Sequence, residues 1–200
     1  MNMKWSHGWI RQSQQKNDTN TPIIKIGGSL LLWPHWPIFL STLIKDFDGA
    51  PIVIIGGGAI VNGLRQIDRA APQSQEMMHN TALDCMHVMA RLISDVLDIP
   101  LSNNPVVETS PCILDVPQWL ACAPCPRNLP KDWSVTSDSI AAYVATEYGT
   151  SLTLVKSSPP PRSSDMTTLQ SLADSGWVDA FFPFAAAEIS NISWLAPTQQ

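Results

Sequence analysis

Two short glycine clusters, each at the end of an apolar run, constrain the fold of this chain more than any other feature. The first cluster lies in Ile24-Lys25-Ile26-Gly27-Gly28-Ser29, and the second in Ile52-Val53-Ile54-Ile55-Gly56-Gly57-Gly58. Each follows β-branched residues and precedes a helical pattern, which predicts a buried strand, a turn and a helix. Bare backbone N–H groups and a helix N-terminus then lie at one edge of a sheet, where they attract anions. The sequence therefore predicts two anion cradles.

The composition is that of one globular domain without a basic surface. The chain has 200 residues, is 44% hydrophobic and carries a net charge of −5, with only 14% charged residues. We predict a polar N-terminal tail over residues 1–20, outside the core, and a single domain over residues 21–200. The charge argues against nucleic-acid and membrane partners. Because no secretory signal or apolar span is visible, we expect a cytoplasmic protein.

The hydrophobic periodicity predicts alternating strands and helices. Strands are predicted over residues 22–26, 51–55, 151–155 and 192–195, and helices over 34–46, 59–70, 81–98, 139–147 and 167–175. Residues 99–130 are proline-rich and are predicted to form short strands or an irregular connection. Uniformly apolar strands that alternate with helices are typical of an α/β fold, here a three-layer α/β/α sandwich with a mostly parallel central sheet. The ligand groove of such a fold lies along the carboxyl ends of the strands.

Two common phosphate-binding motifs are absent. A P-loop needs lysine and then serine or threonine after its last glycine, and a dinucleotide fingerprint would need glycine where Val61 stands. What remains is Lys25, a lysine inside a buried strand just before the first glycine pair. A buried ammonium is costly unless it meets an anion at the end of the strand. Lys25 is therefore the residue that folding alone explains least.

Four segments in order resemble the amino acid kinase family. They are Lys25–Ser29, Val53–Gly58, Thr136–Ala142 and Leu152–Lys156, which together span most of residues 22–156. The stretches 133–142 and 178–183 are most similar to the short members of the family that act in the methanofuran pathway on an aminomethylfuran methyl phosphate. The resemblance implies an amino acid kinase-like fold and an ATP- and Mg²⁺-dependent kinase with a small phosphorylated metabolite as acceptor. It also implies a homodimer or a larger homo-oligomer.

The resemblance also assigns roles to particular residues. Catalytic roles fall on Lys25, Asp138 and Lys156, contacts with the nucleotide phosphates on Gly27, Gly28 and Ser29, and acceptor binding on Gly56, Gly57, Gly58, Thr136 and Ser137. Lys25 would neutralise the phosphoryl group in transfer, Asp138 would orient the lysines, and Lys156 would lie on the nucleotide side. No residue is assigned as a metal ligand.

Other interpretations of the same residues stay open. Asp138 begins a helix, so capping alone could explain it, and Gly56–Gly58 could serve only close packing. Lys156 could be a surface lysine, and the prolines that follow it depart from the family pattern, with Arg162 as a substitute basic group. The alternative functions are a non-catalytic nucleotide or anion sensor, and a carboxylate kinase that would need Arg65 or Arg91 for its substrate. Cys122 and Cys125 are predicted to be incidental loop thiols.

Overall fold

The computed structural model describes residues 4–13, 21–104, 110–122, 129–161 and 168–198. Within these residues the strands are β1 (Trp5–Arg11), β2 (Ile23–Ile26), β3 (Ile52–Ile55), β4 (Leu101–Ser102), β5 (Cys112–Leu114), β6 (Leu152–Val155) and β7 (Ile192–Pro197). The helices are α1 (Trp36–Lys45), α2 (Gly58–Ala70), α3 (Gln75–Leu97), α4 (Val116–Cys122), α5 (Ser137–Glu147), α6 (Leu169–Asp174) and α7 (Phe182–Ala185), and a 3₁₀ helix spans Gly28–Leu32.

The strands form one sheet that sets the carboxyl ends of its central strands side by side. Its order is β1-β7-β6-β2-β3-β5-β4, and every neighbouring pair is parallel except β1 with β7. Ile26, the last residue of β2, pairs with Ile55 of β3 and Val155 of β6. The residues that follow these three strands therefore meet at one edge of the sheet.

Side chains that alternate along the strands build two cores, one on each face of the sheet. Ile23 and Ile54 pack in the core that also contains residues of α4, α5, α6 and α7. Ile24 and Val53 pack in the other core, with residues of α1 and α3. Both faces of the sheet are thus covered by helices, and the predicted three-layer sandwich with a mostly parallel sheet is confirmed.

The predicted elements hold with three exceptions among the helices, one of which is the short helix α7, which was not predicted. The third helix begins at Gln75 and not near residue 81, because Ser74 caps it and accepts a hydrogen bond from the Met77 amide at 3.3 Å. Helix α4 lies in the stretch predicted to form short strands or an irregular connection, where β4 and β5 confirm the short strands. Pro117 argued against a helix in that stretch, yet it lies in the first turn of α4, where proline is tolerated. Cys125 lies outside the described residues.

The expectation that residues 1–20 form a tail outside the core is wrong for residues 5–11. They form β1, which pairs antiparallel with β7 at the edge of the sheet. The ring of Trp5 packs edge-on against Phe39, with 6.0 Å between ring centroids, and Gly8 lies against the ring of Trp194. An edge strand needs backbone partners on one side only, so a polar segment can form one without the apolar run that marked the central strands.

Candidate functional site

An ion-paired triad lies at the carboxyl edge of the central strands. Lys25 lies in β2, Lys156 directly follows β6, and Asp138 lies in the first turn of α5. The Lys25 Nζ atom is 2.8 Å from Asp138 Oδ1, and the Lys156 Nζ atom is 2.7 Å from Oδ2. Lys25 and Asp138 are 4% and 5% exposed, so their charges are almost completely removed from water. The structure thus brings together the three residues to which the resemblance assigned catalytic roles.

Burial and charge act in opposite directions on this triad. Burial raises the pKa of Asp138, but Lys25 and Lys156 outweigh it, and the pKa lies below its usual range. Burial lowers the pKa of Lys156, and repulsion from Lys25 adds to that effect, against the attraction of Asp138. Two ammonium groups around one carboxylate leave an excess of positive charge, which is the environment that a phosphoryl group requires.

Lys156 is not a surface lysine. Besides Asp138, its ammonium donates to the carbonyl oxygen of Trp177 and lies 4.7 Å from the centroid of the Trp177 ring. The indole N–H of Trp177 in turn donates to the carbonyl oxygen of Ser158 at 3.1 Å. Lys156 is therefore held between Asp138 of α5 and Trp177 in the segment before α7, and Trp177 is in turn tied to the segment after β6. Arg162 lies outside the described residues.

The two glycine clusters lie against each other. A Cβ atom on Gly28 would come within 2.3 Å of the Gly58 nitrogen, and Gly58 has a φ angle of 57°. These two glycines are required for close approach of the backbones, so part of the packing interpretation is correct. The clusters also differ, because the first leads into the short 3₁₀ helix whereas the second opens the 13-residue helix α2. Only the second glycine cluster therefore leads directly into an α-helix.

The N-terminus of α5 is capped by a carboxylate that the sequence analysis did not identify. Asp179 accepts hydrogen bonds from the amide and hydroxyl of Thr136, at 2.9 and 2.7 Å. It also accepts from the amide of Ser139 at 3.0 Å and from the Ser139 hydroxyl. Thr136 is therefore engaged in holding this helix end, while Ser137 lies beside Gly56. The only sequence signal for Asp179 was its place in the 178–183 stretch.

A cavity of about 530 Å³ unites these features. Every residue that the sequence analysis assigned to the site lines it, namely Lys25, Gly27, Gly28, Ser29, Gly56, Gly57, Gly58, Thr136, Ser137, Asp138 and Lys156. Its volume is in the range of cavities that hold small molecules or cofactors. The two cradles and the triad are thus walls of one site.

The lining extends beyond the predicted residues along α2 and α3. Arg65 lines the cavity and lies over the ring of Trp133, with 4.9 Å from its Cζ atom to the ring centroid. His79 also lines it and is buried, with its pKa lowered by burial in spite of a hydrogen bond to the backbone of Asp132. Arg91, the alternative to Arg65, is exposed and does not line the cavity.

Among the described residues, no group of three or more histidine, cysteine, aspartate or glutamate residues is placed to hold a metal ion. No helix in the same part of the chain has the length and apolar character that a membrane crossing requires.

Comparisons with known proteins identify one curated relative and a set of similar folds. The relative is [5-(aminomethyl)furan-3-yl]methyl phosphate kinase from Methanocaldococcus jannaschii, 26% identical over 129 residues that cover 61% of this chain. The match spans 58% of the relative's own length. No protein-family model matches the chain.

Two solved structures share the architecture. Uridylate kinase from Archaeoglobus fulgidus superposes with a TM-score of 0.59 at 12% identity, over 88% of this chain and 91% of that one. UMP kinase from Ureaplasma parvum superposes with a TM-score of 0.61 at 13% identity, over 90% and 100% of the two chains. At these identities the likeness establishes the fold.

Proposed function

We propose that this chain, whose resemblance to the amino acid kinase family the curated relative and the structural neighbours confirm, is an ATP-dependent small-molecule kinase. It transfers the γ-phosphoryl group of ATP to a phosphate group of a small metabolite. The observation that carries the proposal is the buried arrangement of Lys25, Asp138 and Lys156 where three parallel strands end beside two glycine clusters.

The proposed site divides into a donor side and an acceptor side. Lys156, Gly27, Gly28 and Ser29 take the nucleotide phosphates, and the Ser29 hydroxyl already reaches the Ser157 hydroxyl at 3.2 Å, which joins the first cluster to the segment after β6. Gly56, Gly57, Gly58 and Ser137 receive the acceptor next to the N-terminus of α2. Lys25 lies between the two sides, because β2 lies between β3 and β6 in the sheet.

This arrangement suits a reaction that needs charge stabilisation more than proton transfer. In phosphoryl transfer, negative charge spreads over the transferred group and the leaving phosphate, and fixed cations lower the barrier. Lys25 and Lys156 supply those cations, and Asp138 holds both ammonium groups in position because each of its oxygens contacts one of them. An acceptor phosphate is already an anion, so no general base has to remove a proton.

Magnesium fits this site as an ion that arrives with the nucleotide. Mg²⁺ keeps several waters and binds phosphate oxygens with few protein ligands, and the described residues contain no cluster of three carboxylate, histidine or cysteine ligands. The cavity carboxylate Asp138 is engaged by two lysines. When bound, Mg²⁺ would neutralise charge on the nucleotide phosphates, and the lysines would act on the group in transfer.

The test is formation of ADP with defined acceptors. Purified protein is incubated with MgATP and either [5-(aminomethyl)furan-3-yl]methyl phosphate or UMP, the compounds suggested by the similar proteins, and products are separated by ion-exchange chromatography. We expect acceptor-dependent ADP together with a diphosphate product from at least one of them. ADP that forms equally without acceptor, or binding of ATP without turnover across a panel of phosphates and carboxylates, would instead identify a hydrolase or a sensor.

A further inference from the structure

One end of the cavity is built around Arg65, a residue with no role in the transfer step proposed above. Arg65 lies seven residues after Gly58 on α2, which places it two turns further along the same face, about 10 Å along the helix axis. Gly58, Val61, Asn62 and Arg65 all line the cavity. Because side chains on a helix lean toward its N-terminus, the guanidinium extends back toward the second glycine cluster.

The charge of Arg65 has no carboxylate partner in the described part of the chain. Its hydrogen bond there is to the side-chain oxygen of Asn62, at a long 3.4 Å. Burial lowers the pKa of Arg65, and repulsion from Arg69 adds to this, with Asp179 acting in the opposite direction. A guanidinium nevertheless stays protonated in proteins, so this half-buried cation gains stability when an anion enters the cavity.

The ring of Trp133 packs against the guanidinium of Arg65, and Trp133 is itself held in place by a hydrogen bond. The Trp133 indole N–H donates to Asp68 Oδ2 at 2.7 Å, and the guanidinium lies over the ring. The same loop is tied to α3 by an ion pair between Lys131 and Glu76 at 2.5 Å. The wall of this end of the cavity is therefore attached to both α2 and α3, and the arginine has a defined support.

We propose that Arg65 binds an anionic group of the acceptor, a phosphate monoester or a carboxylate, and that Trp133 and Asp68 are positioning residues that hold Arg65 for it. The inference rests on the proposed function in one respect, since it takes this end of the cavity as the acceptor side.

The same geometry limits the other contacts that the acceptor can make in this site. The carboxylates among the described lining residues are Asp138 and Asp179. Asp138 is paired with two lysines, and Asp179 accepts four hydrogen bonds, which is about the full capacity of a carboxylate. An amino group on the acceptor therefore finds no free carboxylate, and affinity comes from the anion and the ring.

The experiment measures binding without nucleotide, so that it does not depend on catalysis. Isothermal titration uses three probes: furan-3-ylmethyl phosphate, furan-3-ylmethanol and [5-(aminomethyl)furan-3-yl]methyl phosphate. The proteins are the wild type, Arg65→Gln, Trp133→Leu, Trp133→Phe and the control Arg91→Gln, each checked for folding by circular dichroism. Arg91 is a matched control because it is an exposed arginine on α3 that does not line the cavity.

We expect Arg65→Gln to weaken binding of the phosphate probe about 10- to 100-fold, the range for a lost charge-assisted contact. Binding of the alcohol to Arg65→Gln should stay at the wild-type level. Binding of all three probes to Arg91→Gln should also stay at the wild-type level. Trp133→Leu should lose affinity for the phosphate, and Trp133→Phe should recover part of it, because the aromatic face is restored. The aminomethyl group should change the wild-type affinity less than about threefold.

Three results would overturn the inference: wild-type affinity of Arg65→Gln for the phosphate, no measurable binding of the phosphate by the wild type, or affinity that depends mainly on the amino group. Each is distinct from failure of the proposed function, which is absence of phosphoryl transfer by the wild type in the ADP assay. Equal loss in Trp133→Leu and Trp133→Phe would contradict the positioning role and leave the role of Arg65 intact.

Discussion

The two ends of the cavity are built from different kinds of contact. At the transfer end, Lys25, Asp138 and Lys156 are ion-paired at the ends of central elements, and burial removes most of their exposure to water. At the other end, Arg65 and Trp133 are half-buried and depend on side chains from α2 and a loop that are far apart in sequence.

Under the proposed function, the first end carries the chemistry and the second end recognises the acceptor. The transfer end needs a fixed set of charges at fixed spacing, which a parallel sheet supplies through its register. The second end, which holds Arg65 and Trp133 and is called the acceptor end below, is made of peripheral contacts that can change while the sheet is preserved. We therefore expect substitutions at the first end to lower stability as well as turnover, and substitutions at the second end to act mainly on acceptor binding.

The largest effect on stability is expected for Asp138→Asn. Removing the carboxylate leaves two buried ammonium groups facing each other, which should lower the free energy of unfolding by about 3–5 kcal/mol. Urea titration followed by tryptophan fluorescence measures the change. Asp84→Asn, an exposed substitution on α3, is the control and should change stability by less than about 0.5 kcal/mol. Equal stability of Asp138→Asn and wild type would contradict the ion-paired triad.

The Asp138 contribution should also depend on pH. Because its folded-state pKa lies below that of the unfolded chain, its stabilising effect is complete above the unfolded value and is lost as pH falls toward the folded value. The stability difference between wild type and Asp138→Asn should therefore be constant near neutral pH and narrow below about pH 4. Unfolding titrations near neutral pH and below about pH 4 test this. A stability difference that grows in acid would contradict it.

Gly28→Ala tests the contact between the glycine clusters. The added Cβ atom would lie 2.3 Å from the Gly58 backbone nitrogen, so the two clusters must separate. This should lower the free energy of unfolding by about 1–3 kcal/mol. Gly63→Ala is a matched control within α2, because no atom lies within 4 Å of its added Cβ, and it should raise stability by about 0.5–1 kcal/mol. Thermal unfolding should therefore shift in opposite directions for these two variants, and a shared direction would refute the packing argument.

The smallest effect is expected for Asp68→Asn at the acceptor end. Loss of the carboxylate weakens the hydrogen bond that fixes Trp133, which should lower the free energy of unfolding by about 1 kcal/mol. Steady-state kinetics should show a KM for the acceptor raised about fivefold with kcat nearly unchanged. A fall in kcat at constant KM would mean that Asp68 supports the transfer step, and the contrast between the two ends would not hold.

The sequence predicted the central sheet because the sheet depends on local patterns, whereas the roles of Asp138 and Lys156 at the transfer end came from the resemblance to the amino acid kinase family. Apolar runs marked β2, β3 and β6, and Lys25 stood out as a charge in a buried strand. Strand β1 was missed because an edge strand carries no apolar run.

Long-range contacts account for what the sequence did not predict. Asp179 reaches the first turn of α5 from about 40 residues away in sequence, and the Trp133–Asp68 hydrogen bond crosses 65 positions. No periodicity or spacing rule encodes such pairs, which arise only when the layers pack.

The most direct test of the account is the turnover of Lys25→Met beside Lys45→Met, with MgATP and the acceptor that the wild type uses. Lys45 is an exposed lysine in the last turn of α1, so its variant controls for loss of a lysine charge. We expect Lys25→Met to remain folded and to lower kcat about 10²–10³-fold, the range for loss of one group that stabilises transition-state charge, while Lys45→Met keeps wild-type activity. A folded Lys25→Met enzyme with undiminished kcat would contradict the central claim.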